Sequence, residues 1–385
     1  MLILINIGFY ALTKIKYFPI DSYIEEIRKL KAERKKGRKM NNDINNSTLI
    51  GYKGNSAVYI PDNSKHIFIC GTTGSGKTIV LSNFINRVFN MNYPALIVDG
   101  KGDIGEGSIL DITENFKRNY DKKVYVIDLN NPKTSDKYNP FNNANPTVAK
   151  DMLINLSSWS EEHYKVNTER YLQKVITLMQ LQNIPLSFES IVKYMGAENF
   201  IDLSMNLRKT EIISKDEHLN NVNLTKISGA IAEAAAARFS LLLESELGTI
   251  FHKDGIDITT ALKEKAVIVF VLNPLLYPET SALMGRLILI DSKKAISNLF
   301  EFDNKSGRSF FILDEINSFA SSVLIDLVNK SRSAGVTCIL ATQSLSDLDC
   351  AVDENFKEQI IENCNNYIVL RQNRDRKSTR LNSSH

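Results

Sequence analysis

The sequence predicts an α/β protein whose mainly parallel central sheet is interrupted by an all-α insertion. Three observations carry this prediction. Short, near-continuous apolar runs at 67–70, 95–99, 124–128, 266–272, 309–314, 336–341 and 367–370 alternate with segments of helical spacing. Strands of that kind are buried on both faces, as in a parallel sheet covered by its crossover helices. Between Asn139 and about Thr259 the strand signal disappears. Finally, the first apolar run breaks into glycines and resumes as a helical pattern, which marks a strand–turn–helix unit.

Composition bounds the chain without naming a chemistry. Its 385 residues, 43% hydrophobic and 24% charged, are ordinary globular material and suffice for two compact units. A net charge of +3 does not by itself argue for nucleic acid. Cys70, Cys338, Cys350 and Cys364 are scattered without paired spacing, which predicts reduced thiols rather than a disulfide frame or a zinc site.

Met1 to Phe18 contains about a dozen apolar residues, too few to cross roughly 30 Å of hydrocarbon. The basic block at 27–39, "IRKLKAERKKGRK", fits the positive flank of a membrane segment, so 1–18 reads as a partial anchor and 19–48 as a basic juxtamembrane segment and linker. A solvated charged helix is the competing reading.

The first sheet segment, 49–141, opens with Ile67 to Cys70 and the turn Gly71-Thr72-Thr73-Gly74-Ser75-Gly76-Lys77-Thr78. This satisfies G-x-x-x-x-G-K-[ST], the phosphate-binding loop of nucleoside triphosphatases. Glycines let backbone N–H groups turn inward, and the helix carrying Ile79, Val80, Leu81, Phe84, Ile85 and Val88 adds the positive end of its dipole. Lys77 would reach the β and γ phosphates of ATP, and the Thr78 hydroxyl would ligate Mg²⁺. The next two strands end in Asp99 and Asp128. Asp99 falls on the edge where a parallel sheet holds its ligand.

Residues 142–259 read as the all-α insertion. Tyr171, Leu172, Val175, Ile176 and Met179 recur at helical spacing, Ser187 and Gly196 bracket a short helix, and 227–247 is rich in alanine and leucine. Trp159, the sole tryptophan, is expected to pack this helical core rather than stack on a base.

The sheet resumes over 260–374. "SFFILDEIN" places Asp314 and Glu315 at the tip of a buried strand, costly unless cations or water satisfy them. With a phosphate loop opposite, Asp314 would hold Mg²⁺ and Glu315 would polarise the attacking water. In "SRSAGVTCILATQS" the strand ends at Gln343, whose amide could sense the γ-phosphate. Arg332 ends the preceding helix, either as a surface cap or as a cation offered to a neighbouring subunit. The last stretch, "DRKSTRLNSSH" (375–385), reads in codons as a translated sequencing adapter, so the native chain is expected to continue past Arg374. A basic DNA-touching tail is the alternative.

Taken together, "HIFICGTTGSGKT", "ALIVDGKGDIGEGS", "KYNPFNNANPTVAKDMLINLS", "FVLNPLLYPETSALMGRLILID", "FFILDEINSFA" and "SRSAGVTCILATQS" resemble the TraD/TraG-type coupling proteins of conjugation and type IV secretion. These belong to the RecA-like P-loop ATPases of the FtsK and HerA group. The resemblance implies an inner-membrane-anchored cytosolic motor that assembles as a hexamer, hydrolyses ATP with Mg²⁺, and moves DNA with its relaxase toward the secretion channel. It implies the roles given above for Lys77, Thr78, Asp314, Glu315 and Gln343, a finger role for Arg332, and proximity to the nucleotide for Asp99 and Lys101. It also implies DNA or relaxosome recognition by the helical insertion. A soluble FtsK/HerA-type translocase, a nucleotide-bound docking receptor and an assembly ATPase remain open alternatives.

Overall fold

The computed structural model describes residues 46–63, 65–156, 159, 161–301, 308–349, 352 and 355–372. The expected anchor at 1–18 and the adapter stretch at 375–385 lie outside them, as does most of the 19–48 linker. Two compact units divide at Asp62.

The first unit holds an antiparallel hairpin of β1 (Ser47–Lys53) and β2 (Ser56–Pro61). This hairpin was not anticipated from the sequence, and it begins inside the stretch read as linker. Gly54, at φ 60, turns the chain. The Thr48 hydroxyl donates to Asp62 Oδ1 at 2.7 Å across its open end.

The second unit is built on a seven-stranded sheet, parallel throughout. Its strands are β3 (His66–Cys70), β4 (Ala95–Asp99), β5 (Val124–Asp128), β6 (Val267–Val271), β7 (Ser309–Asp314), β8 (Val336–Thr342) and β9 (Cys364–Val369). Their spatial order is β5-β6-β4-β7-β8-β3-β9. Each predicted run is a strand. The central ones are buried residue by residue, which is why they read as unbroken apolar stretches. β9 starts three residues earlier than its apolar signal at Tyr367. It lies at the sheet edge with alternating exposure, so Asn365 and Asn366 can pair there without being buried.

Helices α1 (Lys77–Asn90) and α2 (Ile109–Asn119) pack together. Helices α8 (Ile258–Lys263), α9 (Pro278–Glu301), α10 (Ser322–Ser331) and α11 (Phe356–Asn363) pack in succession. With right-handed crossovers, this strand order puts the first pair on one face of the sheet and the second group on the other.

Between β5 and α8 the chain forms α3 (Pro146–Leu156), α4 (Glu162–Leu181), α5 (Phe188–Met195), α6 (Ala197–Lys209) and α7 (Lys215–Glu244). Tyr171, Leu172, Val175, Ile176 and Met179 all lie in the core on α4. The 30-residue α7 is the spine against which α4, α5 and α6 pack. It starts well before its alanine-rich stretch, at a Ser214 cap that accepts from the Glu217 N–H. Ser187 caps α5 as expected. Gly196 sits at φ −64 rather than in the left-handed region, because α6 begins there at once and no reversal is needed. Trp159 packs against the core with its Nε1 donating to Ile154 O at 2.9 Å.

The two ends of this helical stretch are tied together and to α9. Tyr138 N–H donates to Ile250 O, and Asn139 N–H to Ile256 O, each at 2.9 Å. Beneath them the Lys294 ammonium, 3% exposed, pairs with Asp257 Oδ2 and Asp291 Oδ1 at 2.9 Å each. It also donates to the carbonyls of Pro140 and Asn142. Tyr138 Oη donates to Asp291 Oδ2 at 2.9 Å. A buried ion cluster of this kind tolerates poorly the loss of one partner, because the remaining charges stay desolvated. Lys294→Met is therefore expected to lower unfolding stability by about 3–5 kcal/mol, read from urea denaturation. A loss under about 1 kcal/mol would mean that the two carboxylates are not held by that ammonium.

Candidate active site

The carboxyl ends of β3, β4, β7 and β8 open onto a cleft of about 430 Å³, within the usual range for small-molecule sites. The loop after β3 forms its floor. Gly76, at φ 96, is the residue before α1, and the helix has neither a side-chain cap nor an acidic residue in its first turn. By contrast α2, α5, α7 and α8 are each capped by a Ser or Asp side chain. The first turn of α1 thus directs its positive end at the cleft with no protein anion to meet it. The Ser75 hydroxyl is buried without a hydrogen-bond partner. A polyanion bound on the loop would supply what both lack.

The opposite wall is acidic. Asp99 at the end of β4 and Asp314 at the end of β7 are register partners. Glu315 follows in left-handed backbone, φ 54 and ψ 52, which is uncommon for a residue with a Cβ. That turn brings its Oε2 to 2.7 Å from Lys77 Nζ, while Asp314 Oδ1 lies 3.0 Å from the same nitrogen. All three side chains are nearly buried. Burial alone would lower the Lys77 pKa, but Asp314 and Glu315 together outweigh it and hold the ammonium above its ordinary range.

Gln343, just past β8, lines the cleft and accepts from the Thr73 hydroxyl at 3.4 Å. Thr72, Gly74 and Thr78 line it as well. The Lys101 and Gly102 N–H groups donate to Asp99 Oδ1 at 3.0 and 2.9 Å. Gly102 sits at φ 70, where an added Cβ would stand 1.7 Å from the Leu272 carbonyl oxygen, so only glycine lets this loop pass β6 so closely. Lys101 also pairs with Asp103.

The cleft therefore brings together the expected Gly71–Thr78 loop, Asp99, Asp314, Glu315 and Gln343. It does not include Arg332, which is exposed at the other end of β8 and away from this chain's own cleft. Sequence reasoning also missed how much of the cleft comes from the loop after β4, where Asp103, Ile104, Glu106, Gly107 and Ser108 line it. The spaced glycines of "GKGDIGEG" were the available signal.

With this geometry in place, the family follows from comparison. The family model described as "Helicase HerA, central domain" matches residues 48–287, more than half of the chain. The chain belongs to the HerA helicase central-domain family. A second model, "TraM recognition site of TraD and TraG", matches residues 308–384.

Solved structures share the fold of this HerA-family chain. The bacterial conjugative coupling protein TrwBdeltaN70, unbound, has a TM-score of 0.55 at 16% identity, over 82% of this chain and 71% of that one. Plasmid coupling protein TrwB in complex with ADP and Mg²⁺ gives 0.53 at 17%, over 83% and 78%. VirB4 of Thermoanaerobacter pseudethanolicus gives 0.55 at 13%, over 87% and 86%. An uncharacterized protein of Mycoplasma pneumoniae (strain ATCC 29342 / M129 / Subtype 1) is 35% identical over 88 residues. Those residues are 23% of this chain and 57% of that protein, so the chain spans little more than half of that relative.

Asp99 gives the cleft a pH signature. Burial pushes its pKa up to about 6; Asp314 adds to the rise, against the pull of the Gly102 and Lys101 amides. A carboxyl raised in the folded state costs stability as pH climbs from the unfolded value through the folded one. In Asp99→Asn the amide oxygen can keep both backbone bonds while the charge is gone. The variant should match the wild type near pH 4 and gain on it by up to about 3 kcal/mol by pH 7. Denaturant unfolding across that range is the measurement, and parallel curves would show that Asp99 does not ionise in that window.

Proposed function

We propose that this chain is the motor portion of a DNA-translocating coupling protein, one that hydrolyses ATP to move relaxosome DNA toward a type IV secretion channel. One observation carries the enzymatic part of the reading. A lysine at the mouth of a glycine loop is clamped by two adjacent carboxylates of another strand, 2.7 and 3.0 Å away, at the edge of a sheet that can hold a triphosphate. The family match over 48–287 and the TraM-recognition match over 308–384 support the rest.

In this reading Gly71 to Thr78 wrap the phosphates, and Lys77 trades its carboxylate partners for phosphate oxygens. Thr78 and Asp314 hold Mg²⁺, which when bound neutralises phosphate charge at the reacting centre. Glu315, freed from Lys77, accepts a proton from a water molecule. The water oxygen bonds the γ-phosphorus as the bond to the β–γ bridging oxygen breaks, yielding ADP and phosphate. Gln343 helps place the water, and Asp99 stays beside the metal pocket as an anchor for the loop that follows it. Arg332, too far round the sheet to serve its own cleft, serves the neighbour's in a hexameric ring. Residues 142–259 recognise DNA or the relaxosome, and a segment around 1–18 anchors the motor to the cytoplasmic membrane. No described helix is long and apolar enough to cross a membrane.

The family match also favours a second reading, an unanchored FtsK/HerA-type translocase. DNA-stimulated ATP hydrolysis is expected for both, and its absence in the purified chain would instead favour a docking receptor. Lys77→Ala and Glu315→Gln should each cut turnover by about 10²-fold or more. Glu315→Gln should still bind nucleotide, so unchanged turnover there would remove Glu315 from the reaction. For Arg332→Ala, hydrolysis should be lost alone and partly restored on mixing with Lys77→Ala, since an interface can then pair an intact lysine with an intact arginine. Arg332→Ala with full activity would end the finger role.

A further inference from the structure

A second groove, about 280 Å³, opens beside the phosphate cleft and shares Thr78, Ile79 and Gly107 with it. It runs between α1 and α2. Ile79, in the first turn of α1, is 70% exposed there, an unusual position for a large aliphatic side chain so close to a polar site. Ile112 and Phe116 of α2 form the far wall, and the Phe116 ring is backed by Phe89 at a centroid distance of 5.8 Å. Gly107, at φ 80, has no atom within 4 Å of where a Cβ would stand, which keeps the passage between the two spaces open.

The direction of a bound nucleotide follows from the charges. Lys77, Asp314 and Gln343 mark the end of the cleft where a terminal phosphate belongs. The other end is where the loop becomes helix, at Thr78 and Ile79, and the groove begins at those residues. We infer that this groove takes the nucleoside of the nucleotide whose phosphates lie on Gly71–Thr78, with Ile79 and Phe116 covering the base. The inference rests on the nucleotide-binding reading and adds a base subsite to it.

The polar groups of the groove are already engaged. The Ser82 hydroxyl donates to Ile79 O at 2.7 Å. The Asn115 amide donates to Asp111 Oδ1 at 3.2 Å, and its oxygen accepts from Arg118 at 3.3 Å. A slot that offers apolar area and no unengaged base-reading group holds a purine without distinguishing its edge substituents. Discrimination of hydrogen-bonding partners needs a site built to pair with them. ATP and GTP should bind alike.

The test is calorimetric titration of the full chain with Mg·ATP, Mg·GTP and Mg·tripolyphosphate, together with photolabelling by 8-azido-ATP. The wild type should bind ATP and GTP within about threefold of each other and tripolyphosphate more weakly. Ile79→Ala, a change at an exposed position, should weaken ATP by about three- to tenfold and leave tripolyphosphate unchanged. The label should fall in peptides containing 79–82 or 107–116. Tripolyphosphate binding as tight as ATP, an unchanged ATP affinity in Ile79→Ala, or label confined to other segments would overturn the groove while leaving the phosphate site intact. Strong preference for one purine would overturn its indifference to base edges. If neither ATP nor tripolyphosphate binds, the underlying nucleotide reading fails, and this inference falls with it.

Discussion

The ammonium of Lys77 holds the carboxyl edge of the sheet together electrostatically. Asp314 and Glu315 are adjacent, buried, and next to a third carboxylate at Asp99. Without a cation among them their charges would repel across a poorly solvated edge, and burial alone would drive them toward protonation. Lys77 supplies that cation from a segment more than two hundred residues away, at 2.7 and 3.0 Å. One contact thereby joins the glycine loop to the strand at the middle of the sheet and fixes which side of each the cleft lies on.

The molecule solves the same problem a second time, and the difference between the two solutions separates structure from chemistry. Lys294 is also caught between two aspartates, but at 3% exposure and with the carbonyls of Pro140 and Asn142 taking up its remaining donors. Nothing in that cluster borders a cleft. Lys77 sits at 11% exposure, and its printed partners are the two carboxylates that line or adjoin the open site. A saturated ion cluster locks a junction; an ion cluster with one open side can exchange a partner. The left-handed backbone at Glu315 fits the second kind, since such a residue stores about 1–3 kcal/mol that a rearrangement can release.

The sheet was legible in the sequence because its strands are buried on both faces and so leave unbroken apolar runs. The Gly71–Thr78 loop was legible because a phosphate cradle demands particular residues at particular spacings. Elements that obey neither rule were not. The β1–β2 hairpin lacks a strong apolar alternation, with Tyr52 and Val58 both exposed. The first residues of β9 are polar because an edge strand need not bury both faces. Asp257, Asp291 and Lys294 carry no local pattern at all, since the contact that gives them meaning joins α9 to the end of the helical stretch. The Lys77–Glu315 distance was likewise beyond sequence: the residues could be nominated, but only the left-handed turn at 315 sets which oxygen meets the nitrogen.

The two faces of the sheet divide the labour around the cleft. On one, α1 and α2 pack together through Phe89, Phe116 and Tyr120, with ring centroids 5.8 and 6.0 Å from Phe89. The loops preceding these helices are the two that line most of the cleft, so a change at either loop is delivered to a stiff helix pair. On the other face, α9 follows β6 and carries Asp291 and Lys294, which grip both ends of the helical stretch. β4, whose Asp99 faces Asp314, is hydrogen-bonded directly to β6. Between the catalytic carboxylates and the roots of the helical body there is therefore one contiguous path of backbone-paired strands and a single crossover helix. A displacement of Asp314 or Asp99 that the sheet cannot absorb by bending has α9 as its next rigid element, and α9 is where the helical body is fastened.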